Sequence, residues 1–176
     1  MNLSDVIAKR YSVRAYNDQP VSEVALKSIL ESANAAPSGG NRQAYEIVVV
    51  RDAKRRRKLA IASHEQGFVA DAPVVLVFFA NSARNREQYR ERGASLYCLQ
   101  DSAVACAYAQ LAATALGLGT CWVGSFEDRV GSEILGAPAS WQPVAILPIG
   151  HPADKPRPHE RRPLNDLVHH EKAGSE

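Results

Sequence analysis

The stretch from residue 94 to 116 constrains this chain more than any other. It is Ala-rich and carries no charged side chain after Asp101. A helix that is apolar all round is buried all round. Its many alanines let neighbouring backbones approach closely. A chain of 176 residues supplies one domain of ordinary size, in which covering every side of such a helix is difficult. The sequence therefore predicts a single domain over 1–176 and a dimer whose core includes this helix. Gly117 and Gly119 end it.

Other elements follow from capping and period. Leu3, Val6 and Ile7 have helical spacing, with Asn2 or Ser4 as cap, and the helix ends near Arg10. Residues 11–20 read as a loop. Ser22 caps a second helix striped by Leu26, Ile29, Leu30 and Ala33, with Val21 stapling onto Leu26, and Pro37 halts it. Tyr45–Val50 and Val74–Ala80 read as buried strands, and Gln142–Ile149 as a last core strand. Asp52 caps a helix carrying the basic run Lys54–Lys58. Residues 63–73 stay ambiguous, and 81–93 reads as a polar, Arg-rich excursion. Thr120–Val123 is a short strand, Glu127–Leu135 a short helix, and Leu164–Val168 a candidate terminal strand.

The balance of 45% hydrophobic and 23% charged residues fits a soluble globular protein. A net charge of +2 is too small to make nucleic acid or an anionic membrane the main partner; Lys54–Lys58 reads as a solvated helix face, with Arg56 an ordinary surface residue. Ala72–Ala80 is too short to span a bilayer, and the N-terminus shows no signal-peptide core. A cytoplasmic protein is expected. Three cysteines without a CxxC pair argue against a disulfide framework or structural zinc, and the scattered histidines read as solvated.

GxGxxG after a strand, GxxxxGK[ST], HExxH and GxSxG are all absent. Three segments stand out instead. Arg10-Tyr11-Ser12-Val13-Arg14 places two guanidinium groups and a hydroxyl together, a donor set suited to phosphate. Pro37-Ser38-Gly39-Gly40-Asn41-Arg42-Gln43 joins a Gly-rich loop to amides that donate and accept at once, able to read a heterocycle edge. Gly117-Leu118-Gly119-Thr120-Cys121-Trp122-Val123-Gly124-Ser125 sets glycines around a strand where a flat ligand could approach the backbone, with Trp122 as a wall. Each has an ordinary structural reading as well.

Taken in order, with Asp71-Ala72-Pro73, Pro148-Ile149-Gly150-His151-Pro152 and Arg161-Arg162-Pro163-Leu164, these segments resemble the FMN-dependent nitroreductase family, in particular its shorter members, across nearly the whole chain. Tyr11 stands where that family's opening signature has a second basic residue, and Tyr45 where it often has Trp. The resemblance implies an α+β fold, a mixed central sheet flanked by helices, and an intertwined homodimer with FMN at the subunit interface. Residues 151–176 would form an extended segment reaching over the partner. The implied cofactor-binding set is Arg10, Tyr11, Ser12 and Arg14 with Arg161, or Arg162 as second choice, on the phosphate side. Pro37, Ser38, Asn41 and Gln43 would come from the other chain. Trp122 and Val123 also belong to the implied set, and Gly124 and Ser125 would place backbone N–H groups near the flavin N5 and O4 edge. NAD(P)H would donate the hydride in a ping-pong cycle, and nitroaromatics or quinones would accept. No side chain is assigned to catalysis, because a flavin carries its own chemistry. The alternative is a flavin-binding sensor or carrier without turnover.

Overall fold

In the computed structural model, residues 1–127, 129–156 and 159–174 are described. Helix α1 spans Leu3–Lys9 and α2 Glu23–Asn34; strand β1 spans Tyr45–Val50, followed by α3 (Ala53–Ala62), α4 (Phe68–Asp71) and β2 (Val74–Asn81). Helix α5 (Ser82–Arg92) leads through a π turn at Gly93–Tyr97 into α6 (Cys98–Ala115); β3 (Gly119–Thr120) and β4 (Trp141–Gly150) complete the sheet.

The strands lie in the order β1-β2-β4-β3, every neighbouring pair antiparallel. The parallel component of the sheet is the bridge between Ser12 and Thr120. β2 is buried along its whole length and alternates between two cores, as period-2 side chains must. Val74, Leu76 and Phe78 face α2 and α6, while Val75, Val77 and Phe79 face α3 and α4. β1 is an edge strand, so it is only partly covered, and Val49 is exposed.

The caps form as the sequence implies. Asn2 and Asp5 make a capping box, and Ser22 Oγ accepts from Ala25 N at 3.1 Å. Val21 and Leu26 share one core, in keeping with a staple.

Several elements differ from expectation. Residues 82–92 are helical, with a break at Arg90 (φ 51°). This helix is polar nearly throughout, so it carries no apolar period to announce it. The long helix begins at Cys98, after the π turn, and in the single chain it is not covered all round. Asp101, Ser102, Ala105, Cys106, Ala109, Gln110 and Ala113 are buried, whereas Ala107, Tyr108 and Ala115 face outward. Of Thr120–Val123, only Thr120 lies in a strand, and Val123 rejoins through a bridge to Ile146. Residues 130–134 form a π turn within the span expected as a helix, with Asp128 outside the described residues. Leu164–Asp166 is a 3-10 turn rather than a strand. Among the described residues no strand lies beside it, and an isolated extended run has no ladder to join.

Candidate cofactor site

The opening strap is held from two sides. Val13 N–H donates to Thr120 O at 3.0 Å, and Gly119 permits that approach, since a Cβ there would stand 2.5 Å from Val13 Cγ2. On the other side the chain after β4 runs back along the strap. Asn17 N–H donates to His151 O at 3.0 Å and Ala153 N–H to Ala15 O at 2.8 Å. Asp154 then latches the segment. Its backbone oxygen accepts from the Tyr11 hydroxyl at 2.9 Å, and its Oδ2 from Arg14 N–H at 2.9 Å. Burial, and then the Asp154 carboxylate, hold the Tyr11 hydroxyl above its ordinary pKa.

This packing opens a cleft of about 740 Å³ walled by Arg10, Ser12 and Arg161, with Lys9 and His159 beside them. Arg10 is the C-cap of α1. Arg14 lines an adjoining cavity of about 110 Å³ with Ser12, Lys155 and His159. Arg162 does not line either; its guanidinium donates to Asp166 O at 2.6 Å within the C-terminal turn. Beneath the cleft, burial raises the Cys121 thiol, while Arg14, Ser12 and Arg10 pull it the other way. Two guanidinium groups and a hydroxyl around one cleft make a donor set for a dianion such as phosphate.

The third segment follows on. Trp122 is partly exposed and Val123 is buried, its backbone bonded both ways to Ile146 at 2.9 and 3.0 Å. Val123 therefore offers a ligand a wall but no free hydrogen bond. Gly124 and Ser125 are exposed, and their N–H groups have no partner among the described residues.

The second segment lies elsewhere. Gly39–Asn41 form a 3-10 turn after Pro37, and Gly40, Asn41 and Gln43 sit at φ 53°, 55° and 49°. Left-handed non-glycine residues carry a backbone cost that surrounding contacts must offset. Ser38 Oγ accepts from Gln43 N at 2.9 Å. The side-chain amides of Asn41 and Gln43 have no hydrogen-bond partner among the described residues, leaving them open to a ligand. This loop packs against Asp101 near the start of α6, whereas Tyr11 shares a cavity with Thr114 near its end. At roughly 1.5 Å per residue, about 20 Å of helix separates the two groups. One chain thus holds the cationic cleft and the amide loop at opposite ends of α6.

The nitroreductase family's sequence pattern matches residues 7–69 and 61–151. The chain belongs to the nitroreductase family. An NADH dehydrogenase of Thermus thermophilus is 32% identical over 187 residues, covering 91% of each chain. An FMN reductase [NAD(P)H] of Bacillus subtilis is 31% identical over 173 residues, covering 91% of this chain and 70% of its own. The solved NADPH:FMN oxidoreductase of Vibrio harveyi in complex with NAD+ superposes with a TM-score of 0.90 at 26% identity, covering 99% of this chain and 79% of that one.

Two residues that hold the candidate site together carry little or no signal in the sequence. Asp101 fastens the amide loop, and its only signal is being the last charge before an uncharged run. Asp154 latches the strap and carries no signal, because its partners lie far back in the chain. His159, read as solvated surface, lines both clefts. Among the described residues no cluster of His, Cys, Asp and Glu could hold a metal ion, and no helix is long and apolar enough to cross a membrane.

Proposed function

We propose that this nitroreductase is an FMN-dependent NAD(P)H oxidoreductase acting as a homodimer. The observation that carries this reading is the separation of the cationic cleft from the amide loop along α6. A complete site then takes Arg10, Ser12, Arg14 and Arg161 from one protomer and Ser38, Asn41 and Gln43 from its partner. The uncovered face of α6 supports the pairing. Tyr108, Leu111, Ala112 and Ala115 line an apolar groove of about 590 Å³ with Leu3 and Ile7, a surface that a second copy would bury. The exposed Leu164, Leu167 and Val168 support a C-terminal segment that reaches over the partner.

The residues present fit FMN. Arg10 and Arg161 would neutralise its phosphate, with Ser12 donating a hydrogen bond. Asn41 and Gln43 would read the heterocycle's alternating donors and acceptors, and Trp122 would wall the ring. The free N–H groups of Gly124 and Ser125 would favour negative charge at the ring's reacting edge. When bound, FMN supplies the redox chemistry, passing hydride equivalents from NAD(P)H to an acceptor such as a nitroaromatic or quinone in a ping-pong cycle. The activities named for the Bacillus and Vibrio relatives support this class of reaction.

The test is the absorbance spectrum of the purified protein, followed by anaerobic addition of NADH and NADPH. A flavin spectrum that bleaches is expected. A colourless protein that takes up no FMN refutes the cofactor; a yellow protein that neither nucleotide bleaches refutes turnover and favours a flavin carrier.

A further inference from the structure

We propose that Asp101 is the positioning residue of the flavin-reading loop, its buried carboxylate gripping both ends of the left-handed turn that presents Asn41 and Gln43. This rests on the assignment of that loop to FMN.

The carboxylate is 4% exposed and spends both oxygens on donors. Oδ1 accepts from Gly39 N at 2.9 Å, where the loop begins. Oδ2 accepts from Ala44 N at 3.4 Å, where it ends, and from Asn85 Nδ2 at 3.0 Å. Among the described residues no Lys or Arg pairs with it. Its charge is met by these N–H groups. Asn85 is fully buried, and its own Oδ1 has no partner. An unmet buried carbonyl is costly, so this amide sits at position 85 for its donor, which feeds Asp101.

Between the two gripped ends, Gly40, Asn41 and Gln43 occupy the left-handed region, which the chain does not adopt unaided. Ser38 Oγ closes the turn on Gln43 N, and the Tyr89 hydroxyl fills the space over Gly40 where a Cβ would stand. Asp101 is the only side chain among the described residues that bonds both flanks of the turn. An amide cannot replace it. A carboxylate only accepts, whereas an Asn at this position would turn an N–H₂ toward one of three donors.

The experiment titrates flavin-stripped protein with FMN and with riboflavin, which lacks the phosphate, and measures the midpoint potential of FMN bound at saturation. Asp101→Asn is expected to weaken both flavins by the same factor, about tenfold or more, and to lower the potential, because the loop amides no longer meet the ring squarely. Arg10→Ala is expected to weaken FMN alone and leave the potential unchanged. Asn85→Asp combined with Asp101→Asn restores a complementary pair and is expected to recover part of the loss. It is measured against wild type in place of the single variant if that variant does not fold. Wild-type affinity in the variant overturns the proposal, as does weakened binding of both flavins with an unchanged potential, which marks a merely structural effect. A wild-type protein that binds neither flavin overturns the FMN assignment itself, and this role with it.

Discussion

Replacing Arg10 or Arg161 by Ala tests the phosphate side of the site directly. Both guanidinium groups border one cleft, although the residues stand far apart in the chain. If both grip one phosphate, each contributes charge-assisted hydrogen bonds worth about 1.5–3 kcal/mol. At about 1.4 kcal/mol per decade, either substitution weakens FMN binding roughly ten- to a hundredfold. Riboflavin, without the phosphate, is bound as by wild type. Quenching of flavin fluorescence in a titration reads both constants, and the variants purify paler, with activity restored by added FMN. Arg162→Ala is the sharp control. Its guanidinium is engaged with Asp166 O, so its removal leaves FMN affinity unchanged. Full flavin retention in Arg10→Ala and Arg161→Ala refutes the clamp. A loss in Arg162→Ala equal to that in Arg161→Ala refutes the choice between the neighbours.

Light scattering is expected to give twice the chain mass, and a monomer with full flavin occupancy contradicts the two-chain site. Gly119→Val drives a side chain into Val13, so overpacking of about 1–3 kcal/mol is expected, lowering the melting temperature by roughly 2–12 °C; an unchanged melt contradicts the close approach of strap and β3. Alkaline stability turns partly on Tyr16. Burial first, then Cys121 and Asp154, hold its hydroxyl far above the ordinary value. The native state keeps that proton where the unfolded chain loses it, so stability is whole below about pH 10 and falls as pH rises further. Denaturant melts of Tyr16→Phe at rising pH are expected to show a shallower decline, and an unaltered slope sinks the assignment.

What the sequence revealed was local. Ser22 as a cap, β2 as a doubly buried strand and the order of the binding segments all follow from neighbouring residues. Helix α5 was hidden because its Arg, Glu and Gln side chains make no apolar stripe. Arg56 illustrates the other limit. In a run of basic residues it reads as bland surface, yet its guanidinium donates to the backbone oxygens of Ala70 and Ala72, closing α3 onto the chain before β2. The exposed Arg57 is therefore the better neutral substitution beside the clamp variants. Asp101 and Asp154 were illegible for the same reason: each gains its meaning from amides or hydroxyls more than fifty residues away in the chain.

The span of α6 between cleft and loop carries a consequence for anyone handling the enzyme. If FMN is seated across two chains, as proposed above, it is released when they part, and its retention obeys mass action in protein concentration. Dilution should drain colour from the protein, and reconcentration with FMN should return it at a rate second order in chains. On that reading, a substitution at the exposed Tyr108 would be scored as a cofactor-binding defect, although every residue proposed to hold FMN is intact.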